Sequence, residues 1–162
     1  MKHVILLGDS VFDNGAYIGR DPDVRQQVEQ ISSQGLKATL RARDGAVISE
    51  IGNQLRGLPS DATHLIISVG GNDALREAGV LDAAALSVAD ALSKLAAVGD
   101  RFSREYGSML NEVLRVALPT AVCTMYEPRF PEASGIASNC GTAPVSLSAP
   151  TRIGRTCGLV VT

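Results

Sequence analysis

The sequence predicts one α/β domain built on a parallel, doubly wound sheet. Three observations carry the prediction. Short runs rich in Val, Ile and Leu recur along the chain, and segments with helical apolar spacing lie between them. Strands alternating with helices require a parallel sheet with helices on its faces, because a parallel strand is reached only through a crossover. The length of 162 residues suits one domain, since domains run to roughly 100–200 residues.

Val4-Ile5-Leu6-Leu7, ended by Gly8, has the pattern of a strand buried on both faces. A helix is expected over residues 22–34. Asp21 fits the N-cap, Pro22 the first turn and Gly35 the end, while Val24, Val28 and Ile31 share one face. Residues 36–43 alternate Leu36, Ala38, Leu40 and Ala42 with polar side chains, which suits a strand nearer the sheet edge. Val47, Ile48, Ile51 and Leu55 mark a second amphipathic helix, stopped near Gly57 and Pro59. His64-Leu65-Ile66-Ile67-Ser68-Val69 reads as a third strand ending at Gly70-Gly71. Residues 82–117 have helical periodicity, with a break expected at Gly99-Asp100. Phe102, Tyr106, Met109, Leu110, Val113 and Leu114 form the apolar face of its second half. Pro119 ends it, and residues 120–126 read as a fourth strand.

Composition changes after Glu132. Every charged residue except Arg152 and Arg155 precedes that point, and the remainder is mostly Ala, Ser, Gly, Thr and Pro. Such a stretch buries too little apolar surface to offset chain entropy. The chain therefore divides into a folded domain, residues 1–132, and a tail, residues 133–162. The tail is expected to be irregular, as a truncated, frameshifted or disordered segment. Leu159-Val160-Val161 could still supply one short strand.

Hydrophobic residues at 45% and charged residues at 20% exclude a chain disordered throughout and a coiled coil. A formal charge of −2 lacks the basic surplus of a nucleic-acid binder, so none is expected as a partner. No apolar run approaches the roughly 18 residues of a membrane span. The run at residues 4–7 is too short for a signal-peptide core, which sets cytoplasmic location as the expectation. Cys123, Cys140 and Cys157 have no metal-type spacing and cannot all pair, which suits a reducing compartment. No metal or organic cofactor is implied.

Ligands of an open parallel sheet bind beyond the carboxyl ends of its strands. Three polar clusters fall there: Gly8-Asp9-Ser10, Asp44-Gly45 and Gly70-Gly71-Asn72-Asp73. Each one alone is most often a turn or a helix cap. Three in order, each after a strand of one sheet, point to a site. Ser10 supplies a hydroxyl nucleophile. The Ser10 N–H, the Gly45 N–H and the Asn72 amide could converge on one developing oxyanion.

These residues resemble the SGNH hydrolases, also called GDSL esterases and lipases. Gly8-Asp9-Ser10-Val11-Phe12-Asp13-Asn14-Gly15 looks like the family's first block, whose Ser is the nucleophile. Gly45 looks like the second block's oxyanion-hole glycine, and Asn72 within Gly70-Gly71-Asn72-Asp73 like the third block's side-chain donor. Cys123-Thr124-Met125-Tyr126 through Phe130-Pro131 is similar to the loop after the fourth strand in bacterial members. The resemblance covers about residues 3–131. It implies a three-layer α/β/α, flavodoxin-like fold and hydrolysis of small acyl or acetyl esters through an acyl-serine intermediate.

The family's last block, an Asp and a His three residues apart, supplies the general base, and it is missing. No Asp follows Asp100 and no His follows His64. His3 and His64 begin strands, so each should be a partly exposed residue roughly 15–20 Å from the carboxyl edge. A general base must lie within about 3 Å of the hydroxyl or one water away. Glu127 is on the correct edge but is a poor replacement. Two further readings stand beside the esterase: a non-catalytic module that binds an acyl or sugar ester, and an inactive hydrolase fragment.

Overall fold

The computed structural model describes residues 1–31 and 35–124, and the backbone of residues 159–161. Strand β1 (Lys2–Gly8) is buried at every position after Lys2. Ile5 and Leu7 face one side of the sheet, Val4 and Leu6 the other, as an apolar run without alternation requires. β2 (Leu36–Leu40) and β3 (His64–Ser68) flank it in parallel, with Leu6 opposite Leu40 and Gly8 opposite Ser68. β4 (Thr120–Cys123) pairs in parallel with β3, and β5 (Leu159–Val161) closes the sheet antiparallel to β4. The order is β2-β1-β3-β4-β5, the flavodoxin-like arrangement with its last strand reversed.

The sheet is covered on both faces. Helices α2 (Ile51–Gln54) and α4 (Val88–Leu114) lie on the side of Ile5, Leu7, Leu65 and Ile67, contributing Ile51, Met109, Leu110 and Val113. Helix α1 (Val24–Gln30) covers the side of Val4, Leu6, Phe12 and Ala42 through Val24. Ile5, Leu6, Leu7, Ile51 and Ile67 are completely buried, each contributing about 1.5–3 kcal/mol of apolar burial.

Several boundaries differ from the sequence expectation. The N-cap of α1 is Asp23, not Asp21. The Asp23 carboxylate accepts from Gln26 N–H at 2.7 Å, and the Gln26 side chain accepts from Asp23 N–H at 2.9 Å. This reciprocal pair satisfies two donors where a cap at Asp21 offers one. β2 stops at Leu40 rather than residue 43, because Arg41 and Ala42 N–H both point to the Leu6 carbonyl and break the ladder. The second helix is a 3-10 turn (Ile48–Glu50) leading into the single turn of α2. α4 starts at Val88, capped by Ser87, and runs through Gly99 without the expected break. A helix interior tolerates one Gly at about 1 kcal/mol when its neighbours pack. Residues 159–161 form β5, the short strand that Leu159-Val160-Val161 could supply. Residues 125–158 and 162, with Glu127, Cys140 and Cys157, lie outside the described residues.

Candidate active site

Gly8 ends β1 at φ +128°, and a Cβ there would stand 1.7 Å from the Ser68 carbonyl oxygen. Only glycine lets β1 approach β3 so closely while its backbone turns. Asp9 N–H then donates to Ser68 O at 3.0 Å, and the Asp9 carbonyl accepts from Phe12 and Asp13 N–H. The Asp9 carboxylate accepts from Val11 N–H at 3.0 Å. Ser10 rides on this tight turn, which buried Phe12 anchors beneath the sheet. Ser10 is half-buried, and neither its hydroxyl nor its N–H has a hydrogen-bond partner among the described residues.

The second loop follows β2. Arg43 N–H donates to Gly8 O at 3.0 Å, and Ala46 N–H closes a turn on Arg43 O at 3.0 Å. Gly45 occupies that turn at φ +76°, the backbone region that favours glycine. Gly45 is exposed, and its N–H has no partner among the described residues. The Asp13 carboxylate accepts from Asp44 N–H at 2.8 Å, and Tyr17 O–H donates to the Asp44 carboxylate. The first loop is thereby tied to the second.

The third loop follows β3 into helix α3 (Gly71–Arg76), with Gly70 at the cap. Asn72 Nδ2 donates to Ala46 O at 2.9 Å, leaving its second amide hydrogen. The Asp73 carboxylate accepts from Ile48 N–H at 3.1 and 3.2 Å, rather than serving as the cap of its own helix. These bonds tie the third loop to the second. Ser10, Gly45 and Asn72 are thus carried by three interlocked loops at one edge of the sheet, between the strands where the order reverses. A cleft of about 240 Å³ opens beside Asp73, lined in part by Val47, Ser49, Arg76 and Phe102.

The edge is electrostatically acidic. Burial pushes the Asp9 carboxyl above its ordinary range against the pull of the Val11 N–H, and the charges of Asp73 and Asp44 add to the rise. Burial raises the Asp73 carboxyl likewise, with the Ile48 N–H opposing and Glu105 adding to it.

Both histidines sit at the opposite edge. His64 starts β3, and His3 lies near the start of β1. At about 3.3 Å per residue, they are roughly 13–16 Å from the carboxyl ends of their strands. His64 is half-buried, as expected. His3 is not partly exposed: it is 2% accessible, enclosed by the loop before β3. Its ring Nδ1 meets Asp61 Oδ1 at 2.9 Å and its ring Nε2 meets Thr39 Oγ1 at 2.8 Å, while its backbone N–H donates to Thr63 Oγ1 at 2.8 Å. These partners make the burial of an imidazole affordable in free energy. Neither ring reaches Ser10.

Sequence reasoning missed Gln54. Its side chain is 5% accessible, accepts from Gly8 N–H through Oε1 at 2.7 Å and donates from Nε2 to Gly8 O at 2.9 Å. The available signal was its spacing: Ile48, Ile51 and Gln54 recur every three residues on one buried face. A polar residue in an apolar stripe needs a partner.

No protein-family model and no curated protein matches the chain. Solved structures do. A lipase, Lip_vut3, from goat rumen metagenome aligns with a TM-score of 0.64 at 17% identity, over 87% of this chain and 71% of its own. A mutant of the esterase AlinE4 gives 0.55 at 20% identity, over 79% of this chain and 61% of its own. The psychrotrophic esterase EstA from Pseudoalteromonas sp., inhibited by monoethylphosphonate, gives 0.51 at 17% identity, over 88% and 68%. This chain therefore spans only part of the length of each. The three-layer α/β fold that the sequence resemblance implied is the fold that this chain shares with these solved lipase and esterase structures.

Proposed function

We propose that this chain is a serine ester hydrolase scaffold for small acyl or acetyl esters, with Ser10 as nucleophile. The observation that carries this reading is the interlocking of the Ser10, Gly45 and Asn72 loops by the Asp13–Asp44, Asn72–Ala46 and Asp73–Ile48 hydrogen bonds. The Ser10 oxygen attacks the ester carbonyl carbon, and the carbonyl electron pair moves to oxygen. Ser10 N–H, Gly45 N–H and the second Asn72 amide hydrogen stabilise that oxyanion. Collapse breaks the bond to the alkoxy oxygen, which leaves as the alcohol with the proton that Ser10 gave up; water then hydrolyses acyl-Ser10 to the acid and restores the Ser10 hydroxyl. Tyr17, Asp13 and Asp44 border the same edge.

The Ser10 proton needs an acceptor, and no imidazole among the described residues lies within reach of it. That observation favours a second reading, a module that binds an acyl or sugar ester without turnover. An oxyanion hole and binding alone leave catalysis of roughly 10³–10⁴ over water, so the two readings predict different rates. Hydrolysis of p-nitrophenyl acetate by the wild type and by Ser10→Ala separates them. Under the esterase reading, wild type turns over well above Ser10→Ala. Equal rates near background discard Ser10 as a working nucleophile and leave the binding module.

A further inference from the structure

β2 ends at Leu40, opposite Leu6, so it offers no strand partner to Gly8 two residues further along β1. The Gly8 N–H and carbonyl nevertheless point toward that side, as those of Leu6 do. The Gln54 carboxamide occupies the gap, receiving the N–H on Oε1 and giving Nε2–H to the carbonyl, at 2.7 and 2.9 Å. It pairs with Gly8 as a neighbouring peptide group would. Arg43 N–H adds a second donor to the Gly8 carbonyl at 3.0 Å. On the opposite side, Asp9 N–H is held by Ser68 O. The residues immediately before Ser10 are therefore gripped from both sides, on one by a strand and on the other by the Gln54 side chain with the Arg43 N–H beside it.

We infer that Gln54 is a positioning residue whose carboxamide stands in for the missing strand beside Gly8 and so fixes the turn that carries Ser10. This rests on the reading of Ser10 as the nucleophile, and it assigns Gln54 no contact with substrate. Two facts separate the assignment from simple core filling. Gln54 lies on the same buried face as Ile48 and Ile51, where an aliphatic side chain would pack without the cost of burying an amide. Both ends of the amide are spent on one residue, Gly8, rather than on the helix that carries it.

The test compares wild type with Gln54→Met, which keeps length and bulk without the paired hydrogen bonds. Val113→Ala, a cavity on α4, serves as the control for general destabilisation. Amide hydrogen exchange reads Asp9, Val11, Phe12 and Asp13 against the core amides of Leu6 and Ile67. Gln54→Met is expected to lower protection of the turn amides by roughly ten- to a hundredfold more than that of the core amides, the loss of a buried partner. Val113→Ala should lower both sets together. Equal losses at turn and core in Gln54→Met, or no loss at the turn, overturn the inference. If Gln54→Met fails to fold, Gln54→Glu, which keeps the acceptor for Gly8 N–H and loses the donor, is read in the same way.

Labelling of Ser10 by an alkyl p-nitrophenyl phosphonate adds the chemical arm. A wild type that labels, with Gln54→Met slower by about tenfold or more while still folded, supports both readings. Unchanged labelling in Gln54→Met overturns the positioning role. A wild type that never labels removes the nucleophile reading, and the exchange data then decide the clamp by themselves.

Discussion

A single carbon added at Gly8 would meet the Ser68 carbonyl oxygen at 1.7 Å in a backbone already at φ +128°. Gly8→Ala is expected to lose roughly 3–5 kcal/mol, strain and overpacking combined. Urea denaturation measures it, and a loss under about 1 kcal/mol would show that β1 and β3 separate easily at this edge. Asp73 makes a prediction of opposite tendency. Its folded pKa is raised, chiefly by burial, so protonation favours the folded state and its charge costs stability as pH rises above the carboxylate range. Asn keeps an acceptor for the Ile48 N–H but has no charge to bury. The Tm of Asp73→Asn relative to wild type should therefore improve from pH 3 to pH 8, and a difference that is flat or falls with pH contradicts the burial account.

At the level of elements, capping decides where helices begin. α4 shows it: Ser87 Oγ accepts from Asp90 N–H at 3.1 Å, and the Asp90 carboxylate accepts from Leu86 N–H at 2.9 Å and from Lys94 Nζ. Ser87→Ala is expected to cost about 0.5–2 kcal/mol, read as a shift in the urea midpoint with an unchanged slope. The helix is 27 residues long, about 40 Å, yet its buried residues are Met109, Leu110 and Val113 in the last two turns. Its first half is held by its own ladder and by the Arg101–Glu77 ion pair, which is why apolar periodicity located its end better than its start. α2 is a single turn, and its order comes from packing. Ile51→Ala, at a completely buried position, should lose about 2–5 kcal/mol, and it should disturb the Gly8 turn through Gln54. The Asp23 cap followed the same rule: the reciprocal Asp23–Gln26 pair outweighed the Asp21-Pro22 signal.

Across the whole molecule, the sheet separates the edge that carries the three interlocked loops from the edge that carries the two histidines. At the amino edge, Asp61 joins Lys37 Nζ at 2.9 Å and His3 Nδ1 at 2.9 Å, and their hydrogen bonds hold its pKa down to about 2. A folded pKa below the unfolded value contributes stability that is complete above about pH 4 and lost as pH falls toward 2. Asp61→Asn should therefore lower Tm at pH 7, with the deficit shrinking below pH 4. A deficit constant down to pH 2 would assign the effect to lost packing rather than charge. No helix among the described residues is long and apolar enough to cross a membrane.

What the sequence determined by itself is local. The β-branched runs of β1 and β3, the edge position of β2 and the turn chemistry at Gly8, Gly45 and Gly70 all follow from periodicity and residue type. So does the placing of Ser10, Gly45 and Asn72 after successive strands. Only the tertiary structure decided which groups meet. That Asp73 reaches Ile48 rather than its own helix, that His3 is sealed between Asp61 and Thr39, and that Gln54 completes the pairing of Gly8 are contacts across 25, 58, 36 and 46 residues of chain. No local pattern encodes them. A buried polar group must find whichever partner the packed sheet leaves within hydrogen-bond reach, and that partner is fixed only when the layers close.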